Sequence, residues 1–452
     1  MNLIRTSNII VLLNLFLSFF AFITSFLLAK FSADAVGIFS SFNMFIYTIS
    51  TLIMFGGINV LSVFYTDNPS KSEKIKIFNF YFIFGLPILL LSIIFMYFMD
   101  GFIFEKLLHF HIDFHFIVLI FFSIYISKLL IFFINAQKMV KLASFVDKIN
   151  QLTFLMLPIL LFFGNFSDYL LYIIIIFLGT NFTKIFITYK YSNYQLILSV
   201  KKPNRFFHLS IPLYLQSITI LIYSVLDRYI VLNYFDLTML GIYHIIILLW
   251  ETPRMLIGNL SQSLLPFMST DMSKTQFNHL TAYVTLISYI FSTSVIFFGP
   301  EILAHFGSQY NQYSSILLIL SIFTVIAAPG VVIMPFLNVL FKTHITYITS
   351  LFQIIIQLCF IYLLIDDYGI YAVAYSKGAG VLLSVLMMYL YTKSVRGYSL
   401  PLHYYSLVII SILSVLVIII GEPSIATKVV VFVFILSIIF FQRKKWSKVV
   451  ND

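Results

Sequence analysis

Charge is what this sequence most lacks. Asp, Glu, Lys and Arg make up 10% of its 452 residues, against 61% hydrophobic. A soluble domain carries about a quarter of its residues charged, so that class is excluded. The mean hydropathy of +1.02 agrees. Cysteine is nearly absent: Cys359 stands alone in an apolar run, so disulfides contribute nothing and the redox compartment is not legible from cysteine usage. Long polar loops are missing too, and no soluble domain is left over. The start, MNLIRTSNIIVLLNLFLSFFAFITSFLLAK, is basic, but its apolar stretch is too long for a signal peptide and no small-residue cleavage site follows. It reads as a first membrane span.

What is present is a succession of apolar runs with turn-sized breaks. A spanning helix needs about 20 apolar residues, and runs of that length exclude a porin-like barrel. They predict an all-α integral membrane protein of about fourteen spans: 7–29, 37–65, 77–98, 114–135, 144–163, 169–189, 209–231, 240–268, 279–298, 314–337, 345–365, 369–392, 404–420 and 425–441. With the N-terminus in the cytoplasm, the inside segments hold 19 of 27 basic residues, from Arg5 through Lys71, Lys138, Lys190 and Lys201 to the tail QRKKWSK. Outside segments hold Lys30, Lys106 and Lys428. The positive-inside rule is thus followed along the chain, and both termini are expected in the cytoplasm. The net charge of +10 is scattered through short loops rather than gathered on a domain, so nucleic acid is not the expected partner.

The longest inside break, YKYSNYQLILSVKKPNRFFHLS, divides the chain, and a repeat accompanies it. Gly37-Ile38-Phe39 opens span two after KFSADAV, and Gly241-Ile242-Tyr243 opens span eight after NYFDLTML, 204 residues on. Six spans, an even number, separate the copies. The halves then share one orientation about an axis along the membrane normal. The expected domains are residues 1–200 and 201–397, each a six-helix bundle, with 398–452 adding two further helices and a basic tail.

No enzyme is expected. The histidines lie mostly in or beside loops, and no paired carboxylates stand on a large outer platform of the kind a lipid-dependent glycan polymerase requires. His109, His111 and Asp113 match metal spacing only loosely and read as an interfacial loop, so neither metal nor cofactor is expected. The informative residues are charges inside spans: Lys128, Lys184, Arg228, Arg254 and Lys377, with Asp227 and Glu251. Each such charge costs about 2.5 to 3.5 kcal/mol near the bilayer centre, so water, pairing or an anionic ligand is implied. Lys184 is near the inner end of its span and is expected to snorkel. Lys128 and Lys377 are deeper, either lining a cavity or held by a structural partner.

Asp227 and Arg228 are adjacent, so they point in different directions on a helix. Glu251 and Arg254 are three apart and can pair across Pro253, which is expected to kink the helix. Either that pair braces the kink, or Arg254, together with Arg228, uses its planar fork to bind a phosphate oxygen while the carboxylates hold or release the guanidinium. Asn14, Asn43, Gln216, Asn259, Gln353 and Gln357 add amides within spans, suited to helix packing or to sugar hydroxyls.

The opening LLAKFSADAVGIFSSFNMFIYTISTLIMFGGINVLSVFY resembles the first two spans of the polysaccharide transporter family, the O-antigen and capsule repeat-unit flippases. The central LDRYIVLNYFDLTMLGIYHIIILLWETPRMLIGNLSQSLLPFMS resembles the seventh and eighth. The resemblance implies two six-helix bundles around a central cavity lined by spans one, two, seven and eight. It implies a flippase that moves undecaprenyl-pyrophosphate-linked oligosaccharide from the cytoplasmic to the periplasmic leaflet of the bacterial inner membrane. Arg228, Arg254, Lys128 and Lys377 would then be substrate-binding, and Asp227 and Glu251 would couple an ion or gate. Membrane lipids, a glycan polymerase and a chain-length regulator are the further partners implied. The first two spans carry no basic residue at depth, which sets the chain apart from the arginine-rich peptidoglycan-precursor flippases. The rivals are a cation-coupled multidrug exporter of the same superfamily and a glycan polymerase. In-span cations outnumber carboxylates five to two on this reading, against the exporter.

Overall fold

The structure is a computed structural model of the full chain. It describes residues 2–54, 71–99, 103, 108, 112–137, 139–192, 200, 206–264, 274–339, 342–397, 400, 402–421 and 427–428, with some helix side chains, among them those of 252–264, outside that set. Every element among the described residues is helical. In chain order they are α1 (Asn2–Phe31), α2 (Ala33–Ile53), α3 (Lys71–Phe98), α4 (Phe114–Ala136), α5 (Val140–Thr153), α6 (Met156–Phe163), α7 (Tyr169–Ser192), α8 (Phe206–Tyr234) and α9 (Leu237–Leu264). There follow α10 (Lys274–Phe306), the single turn α11 (Ser308–Asn311), α12 (Ser314–Ala327), α13 (Gly330–Val339), α14 (Thr343–Tyr368), α15 (Ile370–Arg396) and α16 (Leu402–Gly421). Among the described residues nine helical stretches are long and apolar enough to cross a membrane, and four shorter apolar helices accompany them. The chain is a multi-pass membrane protein, as expected; the fourteenth expected span, 425–441, falls almost wholly outside the described residues.

Two expected spans are broken, each by proline. A proline lacks the N–H that would bond four residues back, and its ring crowds that carbonyl. Pro158 does this to Phe154. There the backbone tightens to three-residue bonds, Leu155 N to Leu152 O at 3.2 Å and Leu157 N to Phe154 O at 3.0 Å, and span five becomes α5 and α6. Pro329 likewise divides span ten into α12 and α13, with its own carbonyl accepting from Val332 N and Ile333 N. Pro87, Pro212 and Pro300 leave their helices unbroken. Helix α9 also continues through Pro253.

Residues 1–244 and 245–452 form two compact units. In the first, α2 is central. It packs against α1, α3, α4, α7 and α8, with Phe42 and Phe177 edge to face at 5.6 Å. Its start is a turn at Ser32, whose Oγ accepts from Ala35 N at 3.0 Å. The start of α9 repeats that turn 204 residues on: Asp236 Oδ1 accepts from Met239 N at 2.6 Å. The two N-terminal turns then pack on each other. A Cβ at Gly37 would overlap the Leu237 carbonyl, and one at Gly241 would overlap that of Ala33. Since Ala33 and Leu237 are themselves 204 apart, the contact is reciprocal, and Thr238 Oγ1 donates to Asp34 Oδ1 across it.

In the second unit α10, α12 and α16 share apolar clusters, one of Leu286, Tyr289, Val325 and Leu407, another of Ile296, Phe297, Leu318 and Val415. The thirteenth span, α16, thus belongs to this unit's core, and Tyr404 Oη donates to Ile326 O at 2.7 Å. Helices α14 and α15 form a hairpin about Gly369, whose φ of +54° favours glycine.

The reciprocal glycine contact predicts that Gly37→Ala lowers the thermal midpoint of the detergent-solubilised protein, because the new methyl meets backbone. Overpacking of this kind costs about 1 to 3 kcal/mol. Gly179→Ala, where a Cβ would meet nothing within 4 Å, should be neutral or stabilising by up to about 1 kcal/mol. Equal midpoints for both variants would remove the contact as a constraint.

Candidate functional site

The first unit holds two charged clusters. At Asp227 the carboxylate is fully buried, 0% exposed, and Oδ2 accepts from Tyr243 Oη at 2.9 Å. That bond joins α8 to α9 two residues beyond Gly241. Arg228, on the next position of α8, is half-buried. Its guanidinium acts electrostatically on His244, whose ring meets Phe39 edge to face at 6.4 Å. Two further bonds tie α8 to α2: Tyr214 Oη to Leu52 O at 2.8 Å and Thr48 Oγ1 with Tyr229 Oη at 3.4 Å.

The second cluster joins α4, α5 and α7. Lys128 Nζ lies 2.6 Å from Asp147 Oδ1, and Lys184 Nζ donates to the Asp147 main-chain oxygen at 2.9 Å. Lys184 is only 4% exposed. The expectation that it snorkels is therefore corrected: its ammonium turns inward, because a main-chain carbonyl is within reach and the helix end is not needed. Around it the polar residues of α4, α5 and α7 bond one another, Ser127 Oγ to Asn181 Oδ1 at 3.3 Å and Thr153 with Thr180 at 2.8 Å. Asp147 and Lys148 both belong to an apolar stretch, 141–163, that can cross a membrane, so the five-to-two count of in-span charges omits one of each sign within it.

In the second unit, Trp250 on the continuation of α9 donates Nε1 to Leu320 O at 2.8 Å and to Thr324 Oγ1 at 2.7 Å. Lys377 on α15, 1% exposed, sets Nζ 5.3 Å from the centre of the Trp250 ring. A cation over an indole face is stabilised by about 2 kcal/mol when desolvated. Glu251, beside Trp250, is half-buried. The side chains of Arg254, Asn259 and Gln262 lie outside the described residues, and with them the proposed Glu251–Arg254 pairing.

Of the six positions singled out from sequence, Asp227 and Arg228 share one cluster, Lys128 lies in another, and Lys377 and Glu251 both neighbour Trp250. Three participants were missed. Asp147 was signalled by Lys128, which needs a counter-charge at its depth. Trp250 is one of only two tryptophans. His244 is the one histidine of nine set well inside an apolar helix, and the loop-bound others concealed it. Among the described residues no group of His, Cys, Asp and Glu could hold a metal ion.

The Asp147 cluster yields an expectation about stability. Asp147→Leu leaves the Lys128 ammonium without its counter-charge and should cost about 2 kcal/mol, read as a lower thermal midpoint. Adding Lys128→Met should restore most of the loss. Additive losses in the double variant would show that the two charges do not act as a pair.

No family model and no curated protein sequence matches the chain. Solved structures do. The fold is similar to that of the lipid II flippase MurJ in an inward closed conformation, with a TM-score of 0.75 and 16% identity over 96% of this chain and 99% of that one. It is similar to an inward-facing multidrug resistance MATE family transporter of the MOP superfamily, with a TM-score of 0.65 and 11% identity over 87% of this chain and 95% of that one. An outward-facing MATE family transporter of that superfamily gives 0.59 and 12%, over 88% of this chain and 96% of that one. The chain thus has the helical membrane fold of MurJ and the MATE transporters.

Proposed function

We propose that this protein is a flippase for undecaprenyl-pyrophosphate-linked oligosaccharide repeat units of an O-antigen or related surface polysaccharide. It would work by alternating access between two related six-helix halves, residues 1–200 and 201–397, in the bacterial inner membrane, with both termini in the cytoplasm. The observation that carries the reading is the sign of the charge kept at depth. Lys377 is almost wholly buried against Trp250, and Arg228 is half-buried on α8. A cation held in apolar surroundings is a place for an anionic head group. Arg254 is assigned to the same task, with Glu251 and Asp227 as gating or ion-coupling groups. The likeness in fold to a lipid II flippase supports a lipid-linked cargo. A glycan polymerase and a chain-length regulator would act on the product.

The likeness to multidrug transporters favours a second reading, a cation-coupled exporter. Such a protein binds its cargo or its coupling ion through carboxylates, and here Asp147 and Asp227 are each engaged by a neighbour. At Asp147 a cation would have to displace the Lys128 ammonium.

A strain lacking this protein should accumulate undecaprenyl-linked repeat units on the cytoplasmic leaflet. Loss of a polymerase would still leave single units displayed outside, and loss of a drug exporter would leave display complete. Arg254→Ala should abolish glycan display while the protein stays inserted at its normal level; full display by that variant would refute the assignment of Arg254 to an anionic site.

A further inference from the structure

The sequence repeat assigns α8 to the second copy, yet α8 packs on α2 of the first and belongs to the compact unit of residues 1–244. Contacts of α8 and the start of α9 with α2 and α3 therefore bridge the two copies. At the outer end of this seam the contact is backbone against backbone, at Gly37 and Gly241. At mid-length hydroxyls make it, Thr48 Oγ1 with Tyr229 Oη at 3.4 Å and Tyr214 Oη to Leu52 O at 2.8 Å. At the inner end aromatic rings make it. Phe206, the first residue of α8, directly follows the basic Lys201, Lys202 and Arg205. Its buried ring meets Phe80 at 5.0 Å, Phe84 at 5.2 Å and Tyr81 at 6.2 Å, each edge to face. Tyr81 in turn donates Oη to Met54 O at 2.7 Å, so the end of α2 receives one phenol from each copy. Edge-to-face rings attract and exclude water, and no hydrogen bond is exchanged when they part, so such a contact can open and re-form.

We propose that Phe206, seated among Phe80, Tyr81 and Phe84, is the inner latch of the seam between the two copies, shut in this structure and withdrawn when the cytoplasmic side opens. This rests on the reading of the chain as an alternating-access flippase with residues 201–205 in the cytoplasm, and adds to it the contact that sets how often that side opens. The two ends of the seam differ in kind. Backbones pressed together at the glycine crossing leave no room for a side chain, whereas the latch is built of rings, whose bulk decides how strongly the inner end is held. Removing one ring therefore shifts the population toward the inward-open state and leaves the outer end as it was.

The test uses the full chain with its single cysteine replaced, Cys359→Ser, and a reporter at mid-seam, Thr48→Cys. Inverted and right-side-out membrane vesicles are labelled with a membrane-impermeant maleimide. The reporter protein should label slowly from both faces. Adding Phe206→Ala, or Phe80→Ala from the opposite wall, should raise the labelling rate about tenfold from the cytoplasmic face only, a shift of about 1.4 kcal/mol in the opening equilibrium. Phe177→Ala removes a ring pair inside the first copy; it should lower the thermal midpoint by a similar amount and leave labelling unchanged, which separates opening from lost stability. If Phe206→Ala and Phe80→Ala leave the rate as it was, the rings serve packing only and the latch falls, while the flippase reading still stands or falls on glycan display in the deletion strain. If Phe177→Ala raises the rate as much as they do, or the reporter protein already labels rapidly from the cytoplasmic face, the latch falls as well. If labelling rises from the outer face instead, the assignment of residues 201–205 to the cytoplasm falls, and an inner closure at Phe206 falls with it.

Discussion

Two helix starts in this protein approach more closely than any side chain allows, and much of the first unit follows from that. The turn at Ser32 and the turn at Asp236 are capped in the same way, by a side-chain oxygen that accepts from the backbone three residues on. Each delivers a glycine to the carbonyl opening the other helix. Without a Cβ the backbones settle against each other as small-residue interfaces do in membranes, where lipid offers no hydrophobic drive to bring helices together. Once Gly37 and Gly241 fix the crossing, the register below is fixed as well. Phe39 meets His244, Tyr243 meets Asp227, and Thr48 meets Tyr229.

Charge is the second constraint, and it is met locally each time. Lys128 takes a carboxylate, Lys184 a main-chain carbonyl, Asp227 a tyrosine hydroxyl and Lys377 an indole face. These solutions are not equivalent. An ion pair cancels its own field, so Lys128 has little charge left to offer a ligand. A carbonyl stabilises a cation without neutralising it. Lys184 reaches the same residue through its main-chain oxygen, so two lysines converge on Asp147. Lys428 and Glu301 form a pair like that of Lys128, where the sequence places both outside, so pairing there braces helices rather than serving a path.

Much of this was legible before any coordinates. Runs of about 20 apolar residues have one solution in lipid, so the helical class and most of the spans followed directly. The offset of 204 was visible because glycine at a close crossing admits no substitute, and the copies at Gly37 and Gly241 kept it. Less visible was which prolines would break a span. Pro87, Pro158, Pro212, Pro300 and Pro329 are alike in sequence, yet only Pro158 and Pro329 divide their helices. At Pro158 and Pro329 the backbone tightens to three-residue bonds, a local change that the apolar run does not announce. The charged residues were legible as costs but not as partnerships. Lys128 announced that it needed something, and only the folding of α5 against α4 supplied Asp147.

The sign of the cargo is decided by residues and not by the fold, since the same helical frame can be lined with either charge. Of the three carboxylates at depth, Asp147 meets an ammonium, Asp227 a phenol, and Glu251 stands half-buried beside Trp250. To bind a cation, Asp147 would first have to give up an ion pair made in a medium where bonds are strong and water is scarce. About Asp147 the nitrogens of Lys128 and Lys184 meet one residue, the first at its carboxylate and the second at its main-chain oxygen. The residue that answers the buried charge is therefore also the one that joins α4, α5 and α7.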